Sequence, residues 1–419
     1  MNIPLSYFQS HKKTVVLLSV ILLIGFISLS FSIANAINIS SDFTVFWQAG
    51  KNFIANLSLY SNIGGAKRYI YPPFAAMLFQ LLGIFSLYQA AVIFSIFNCL
   101  FWVLILYYTR KILLLTSATT KQVNYSLVIG FLLSFRYFWY HLNFIQMNEL
   151  VLMLTLAGVY NFLKNKNHFA IPLLVIATFI KILPILILIW VLSKSNFKNY
   201  LRTAIWVLFC MLAPVMFRGF HQGVADISDY YTTFLEPFTN GRVEPELQNY
   251  GLAAALFKMF SYTPDGDKYH FIVTQLSTPA ITFIYKSLLV FSFVAFISLL
   301  SYSRFIAKKI SLVEVGFILM FTHLLSGITW EYHLITLIFV IPLLFLNFLN
   351  TVAKYKWFYY ILGGILLFNS LIGADTVGFY LFYKCCGYSL LTWMLLFLEI
   401  YFFLIYFISP KNRLEIITD

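Results

Sequence analysis

The sequence predicts an all-α integral membrane protein, a bundle of about twelve transmembrane helices with an interfacial helix in its first outer loop. Three observations carry that expectation. Of 419 residues, 61% are hydrophobic and only 10% charged, against roughly 25% charged in soluble domains, so the chain has too little polar surface to cover a globule in water. Apolar runs at 14–36, 278–303, 331–349 and 387–408 approach or exceed the roughly 20 residues that cross a bilayer core. The basic residues sit in short clusters between apolar runs. On these grounds the whole chain, 1–419, is expected to form one polytopic membrane domain.

The basic clusters are His11-Lys12-Lys13, Arg110-Lys111, Lys164 to His168, Lys194 to Arg202, Arg304 to Lys309, Lys354 with Lys356, and Lys411 to Arg413. This is the pattern of cytoplasmic loops, and it explains a net charge of +13 without nucleic acid, for which no dense basic block exists. Both termini then face the cytoplasm. The four cysteines show no disulfide framework and no zinc spacing: Cys99 and Cys210 fall inside apolar spans, and Cys385 and Cys386 are adjacent.

In chain order, 14–36 is too long for a signal-peptide core and reads as a retained anchor crossing outward. Residues 37–71 form the first outer loop, where Phe43, Phe46, Trp47, Gly50 and Ile54 recur at helical spacing against Thr44, Gln48, Lys51 and Asn52. That is an amphipathic helix suited to the membrane interface. The segment 72–108 is too long for one crossing, so 72–85, opened by Pro72-Pro73, is expected as a short or re-entrant helix before one full span. Spans follow at 123–140, 148–163, 169–180, 183–192, 200–217, 278–303, 311–328, 331–349, 356–372 and 387–408. Lys181 and Pro184 argue for the break between 169–180 and 183–192. The second long outer segment, 218–277, holds seven of the fifteen acids against four Lys or Arg.

Polar residues at membrane depth are costly and so point to function. On this topology Asp42, Lys67-Arg68, Arg136, His141, Gln146, Asn148, Lys181, Gln248-Asn249, Glu331 and His333 gather at the outer face. Asp42 reads either as an N-cap or as a general base within reach of an acceptor hydroxyl. Lys181 reads as a snorkelling lysine or as a phosphate-binding cation. Gln146 and Asn148 could cap the following helix or bond a sugar or phosphate. His333 could be structural, a proton carrier or a ligand, and Tyr69, Tyr71 and Trp330 could stack on a sugar or belong to the aromatic belt. A lone carboxylate with several cations at one membrane face suits transfer from a lipid phosphate: the acid activates the acceptor and the cations stabilise the departing phosphate. No phosphate loop, HExxH or nucleotide-binding glycine pattern is present.

The string Ser41-Asp42-Phe43-Thr44-Val45-Phe46-Trp47-Gln48-Ala49-Gly50, then Leu59-Tyr60, then Tyr69-Ile70-Tyr71-Pro72-Pro73, resembles the amino-terminal pattern of glycosyltransferase family 87. Gln146-x-Asn148 resembles that family's Gly-Gln-x-Asn element, Lys181 with Pro184 its Lys-x-x-Pro element, and Leu325-Ser326, Thr329-Trp330 and His333 its Ser-Pro-x-Ser-Trp-x-His element. Ile145 replaces the glycine before Gln146, Gly327 replaces a proline, and Asn56 stands where a glycine often precedes the Leu-Tyr pair. The resemblance implies a GT-C membrane fold and a cofactor-free hexosyltransferase, a mannosyltransferase by likeness. It would use a polyprenyl-phosphate-sugar donor and a lipid-linked or glycan acceptor at the outer side of the plasma membrane. It implies metal-independent, inverting transfer with Asp42 as base. Lys181, His333, Gln146, Asn148, Arg68, Arg136 and Tyr71 are the expected donor contacts, and Gln248, Asn249 and Glu331 the expected acceptor contacts. The rival reading is a transporter or flippase for lipid-linked sugars, which would be expected to show internal repeats; none is evident.

Overall fold

The computed structural model describes residues 42–60, 68–263, 272–351, 355–408 and 414–416. The expected anchor 14–36, Lys67, Asp265, Asp267, Lys354 and the basic segment 411–413 lie outside the described residues. Within them every regular element is helical, and the β contact found is an isolated bridge between Ser311 and Glu415. The helices are α1 Phe43–Ile54, α2 Pro73–Gly83, α3 Leu87–Leu113, α4 Thr120–Phe144, α5 Asn148–Leu163, α6 Asn167–Ile180, α7 Ile185–Ser193, α8 Phe197–Arg218 and α9 Phe220–Tyr230. They continue as α10 Glu236–Thr239, α11 Leu252–Phe260, α12 Thr278–Ser301, α13 Leu312–Leu325, α14 Leu337–Asn350, α15 Lys356–Leu371, α16 Ala374–Val377, α17 Phe379–Gly387 and α18 Leu390–Ile408.

Local chemistry sets many of these boundaries. Ser86 with Gln89, Thr119 with Gln122, and Ser311 with Glu314 form reciprocal capping boxes at the starts of α3, α4 and α13, each satisfying two orphan backbone donors. Pro73 sits in the first turn of α2, where its missing N–H costs nothing. Lys181 and Pro184 do break the apolar run, separating α6 from α7.

Among the described residues five helical segments are long and apolar enough to cross a membrane: Leu87–Leu113, Phe197–Arg218, Thr278–Ala307, Glu331–Asn350 and Leu390–Ile408. The chain is a multi-pass membrane protein. Several other expected spans are helices of more modest length. α5 has 16 residues and so measures about 24 Å, short of a hydrocarbon core of roughly 30 Å. The expected helix in the first outer segment is present as α1, but its apolar face is turned inward. Phe43, Phe46, Ala49, Gly50 and Phe53 are buried, and α1 packs against α2 and α3.

The crossing of α1 on α2 is a backbone contact. A Cβ on Gly50 would collide with the Phe79 carbonyl oxygen, and one on Gly83 would lie 2.8 Å from the Gly50 carbonyl carbon. Glycine is what lets two helices approach this closely. Beside the crossing lies a small core of Phe43, Phe46, Ala75, Phe79, Phe94, Ile145, Met147 and Ile180. It joins the head of α1, α2, α3, the α4–α5 turn and the end of α6 in one packed unit.

A second clasp lies at the far end of α7. Glu314 takes Lys194 Nζ at 2.8 Å, Trp190 Nε1 at 2.6 Å, Ser303 Oγ at 2.9 Å and the Ser311 N–H at 3.0 Å. Arg304 donates to the Ser193 carbonyl at 2.8 Å, and Lys309 pairs with Glu415 at 2.6 Å. Clusters that the sequence assigned to one side of the membrane thus come together at one end of the bundle.

Gly50→Ala should destabilise the fold by about 1–3 kcal/mol, because the added methyl meets backbone that cannot yield. Gly363→Ala on α15, where a Cβ meets nothing within 4 Å, should be neutral or stabilising by up to about 1 kcal/mol. Thermal unfolding of both variants in one detergent checks the pair; equal effects would contradict the tight crossing.

Candidate active site at the head of helix α1

Asp42 occupies the position before α1, yet its side chain makes no cap to its own helix. The carboxylate turns instead across the fold. Oδ2 accepts a hydrogen bond from Gln146 Nε2, in the α4–α5 turn, and a second from the Tyr332 hydroxyl at 3.1 Å. The capping alternative for Asp42 therefore does not describe this carboxylate.

Lys181 does not snorkel. It follows α6 in extended conformation, with φ −149° and ψ 125°, and its amine turns inward. Nζ donates to Asn148 Oδ1 at 2.7 Å, lies 2.8 Å from His333 Nε2, and sits 5.9 Å over the Tyr71 ring. His333 Nδ1 accepts from the Trp330 N–H at 3.2 Å, so in the neutral ring Nε2 carries the proton and directs it at the lysine. A neutral amine can accept that proton; an ammonium cannot. Burial acts in the same direction, pushing the Lys181 pKa down to about 7 against an opposing pull from the Asp42 charge.

Two short segments thus hold both charged groups. Gln146 and Asn148 flank Met147, one reaching Asp42 and the other Lys181; Tyr332 and His333 are neighbours and divide in the same way. The capping role weighed for Gln146 and Asn148 is not theirs, because Met147 stands at the N-cap of α5 and makes no side-chain cap. Valence remains unused here: Gln146 Oε1 and Asn148 Nδ2 are buried without a protein partner. α5 begins at Asn148, so the positive end of its dipole points to this spot.

Beside Lys181 opens a cleft of about 510 Å³, part of it open to the surroundings. Asn148, Lys181 and His333 form its polar end, and Val151, Leu183, Ile187 and Leu319 line its apolar walls. His323 and Thr336 join each other at 2.7 Å within the lining.

The remaining candidates divide. Tyr71 belongs to the cluster, beneath Lys181 and 5.0 Å from the Phe46 ring; burial and then the Asp42 charge push its hydroxyl pKa up. Arg68 is exposed just before buried Tyr69. Arg136 and Glu331, expected to contact donor and acceptor, pair with each other at 2.7 Å, and Glu331 also accepts from the Tyr250 hydroxyl at 2.9 Å. That buried pair sets the start of the segment carrying Tyr332 and His333. Asn249 is fully buried with its amide committed: it donates to the carbonyls of Glu244 and Gly327 and accepts from the N–H groups of Gly251 and Thr329. Asn249 thereby clasps the segment 244–251 to the chain leading into Trp330. Lys258 does similar work, donating to the carbonyls of Leu247, Asn249 and Cys386. Gln248 stays half-buried between these anchors.

Tyr332 and Asn98 are site residues that the sequence reading missed. Asn98, on α3, donates to the Gln146 carbonyl at 2.9 Å. Only the adjacency of Tyr332 to His333 could have flagged it among so many interfacial aromatics. Two departures from glycine also acquire a meaning: Asn56 and Ile145 both have positive φ, +56° and +48°, the backbone that glycine adopts without strain.

Among curated proteins none matches the chain. A family model does match, over residues 69–326 and so more than half of the sequence, and the protein belongs to glycosyltransferase family 87, a membrane glycosyltransferase.

Proposed function

We propose that the protein transfers a hexose, mannose on the family likeness, from a polyprenyl-phosphate donor to a hydroxyl of a lipid-linked or glycan acceptor. The observation that carries this reading is the cleft beside Lys181, polar at one end and apolar along its walls. A phosphate suits the lysine end, and an isoprenoid chain suits Val151, Leu183, Ile187 and Leu319. The reading includes a GT-C-type bundle of about twelve crossings, cytoplasmic termini and a site on the outer face of the plasma membrane.

In this mechanism Asp42 removes the proton from the acceptor hydroxyl as its oxygen attacks C1 of the sugar. The bond from C1 to the phosphate oxygen breaks on the opposite face, which inverts the anomeric centre, and the electron pair leaves with the phosphate. Through an oxocarbenium-like transition state negative charge grows on that phosphate. Lys181 opposes it there, with Asn148 Nδ2 as a further donor. An arriving phosphate would restore the ammonium form that burial disfavours. No strong acid is required, because phosphate is already a competent leaving group, and the reading assigns no metal. Gln146 and Tyr332 would orient the base; Gln248 and Arg68 remain expected acceptor and donor contacts.

Asp42→Asn should fold with an unchanged thermal midpoint and lose about 10²–10⁴-fold in transfer rate. A folded Asp42→Asn variant working at the wild-type rate would remove the base assignment. For Lys181, kcat/KM for the donor should fall as pH rises through about 7, because the free enzyme loses the cation the phosphate needs. Lys181→Arg should carry that limb to higher pH, and Lys181→Met should raise the donor KM roughly tenfold to a hundredfold. A pH profile flat between 6 and 9 in the wild type, on the order of one unit to each side of that pKa or more, would count against phosphate contact.

A further inference from the structure

The turn from α4 into α5 decides where Gln146 and Asn148 point, and its backbone is constrained. Ile145 lies in the left-handed region, with φ 48° and ψ 57°. A β-branched residue stays there only when its surroundings dictate it. Its side chain is fully buried in the small core with Phe43, Phe94 and Ile180, so packing holds the residue from one side.

Polar contacts hold it from the other. The Glu149 N–H donates to His141 Nε2 at 3.3 Å, spanning the turn. The imidazole proton then sits on Nδ1, which lies 3.0 Å from Glu149 Oε1. The Gln146 N–H returns to the His141 carbonyl at 3.3 Å, while Asn98 takes the Gln146 carbonyl. His141, Glu149 and Asn98 are all 0% exposed, and none of them lines the cleft. A buried acid facing imidazole is a poor way to gain stability alone, since well-packed apolar residues serve as well or better. What such a pair supplies is one geometry.

We infer that the His141–Glu149 pair, together with Asn98, braces the strained turn at Ile145 and so positions Gln146 against Asp42 and Asn148 against Lys181. The kinetic consequence rests on the proposed glycosyl transfer; the brace itself does not. Glu149 and His141 are positioning residues that act through the two amides.

The test uses the full chain in lipid nanodiscs, with Glu149→Leu and Glu149→Gln. Amide exchange of residues 145–149 should rise at least about tenfold in Glu149→Leu, through local opening of the turn. Its donor kcat/KM should fall about 10²-fold, the scale of a small misplacement of reacting groups. Glu149→Gln keeps an oxygen for the Nδ1 proton and should stay within about threefold of wild type in both. In a Gln146→Ala, Asn148→Ala background, Glu149→Leu should cost little more, since coupled residues are non-additive. Unchanged exchange in Glu149→Leu would overturn the brace. Raised exchange with wild-type kinetics, or a fully additive loss, would overturn positioning and leave an ordinary packing role. If the wild-type chain transfers no sugar, the functional reading fails, and the exchange measurement alone decides the brace.

Discussion

Asp42 and Lys181 are held apart and held in place by the same two pieces of chain, and that shared restraint organises the site. A lysine that paired directly with the aspartate would leave neither a base nor a phosphate ligand. Here the partners of Lys181 are Asn148 and His333, while Asp42 takes Gln146 and Tyr332. The opposite charges still feel each other, as the Asp42 field on Lys181 shows. Each nevertheless keeps its own chemistry, a few residues from the other along both supporting segments. Everything that fixes residues 145–149 and 330–333 therefore bears on where Asp42 and Lys181 sit, including the buried pair of Arg136 and Glu331 and the clasp at Asn249.

The two ends of the bundle use polar groups differently. Around Glu314, a lysine, an indole, a hydroxyl and a backbone N–H converge on one carboxylate. Such saturation suits rigidity, since a half-satisfied buried network is costly. Around Lys181, by contrast, Gln146 Oε1 and Asn148 Nδ2 stay without a protein partner. Asn148 lines the cleft, and buried valence left open there is what a polar ligand can occupy. The two networks thus differ in kind: one carboxylate is saturated, while the amides around the other centre keep valence open.

Much of this was legible in the sequence, because helices declare themselves locally. The segment expected at 148–163 is α5 itself, and the break at Lys181 and Pro184 was foreseen. Asp42, Gln146, Asn148, Lys181 and His333 could be named together because polar residues in apolar surroundings are conspicuous. What stayed hidden depends on partners far away in the chain. The pairing of Glu331 with Arg136, 195 positions earlier, has no local signal. Nor do the four backbone groups around the Asn249 amide. Tyr332 carried no signal that separated it from other interfacial tyrosines. Length separates the apolar helices less sharply than the sequence does: among the described residues five segments are long enough to cross a bilayer, while others, such as α5, are shorter.

The central claim is that the sugar arrives on a lipid phosphate whose head meets Lys181 and whose chain enters the apolar cleft. The most direct measurement supplies purified, nanodisc-embedded protein with sugars linked either to polyprenyl phosphate or to a nucleotide, plus a soluble glycan acceptor, and follows release of the carrier. The account predicts free polyprenyl phosphate in step with acceptor glycosylation, with nucleotide-linked sugars left intact. Turnover of the nucleotide sugars, with the polyprenyl donors untouched, would contradict it.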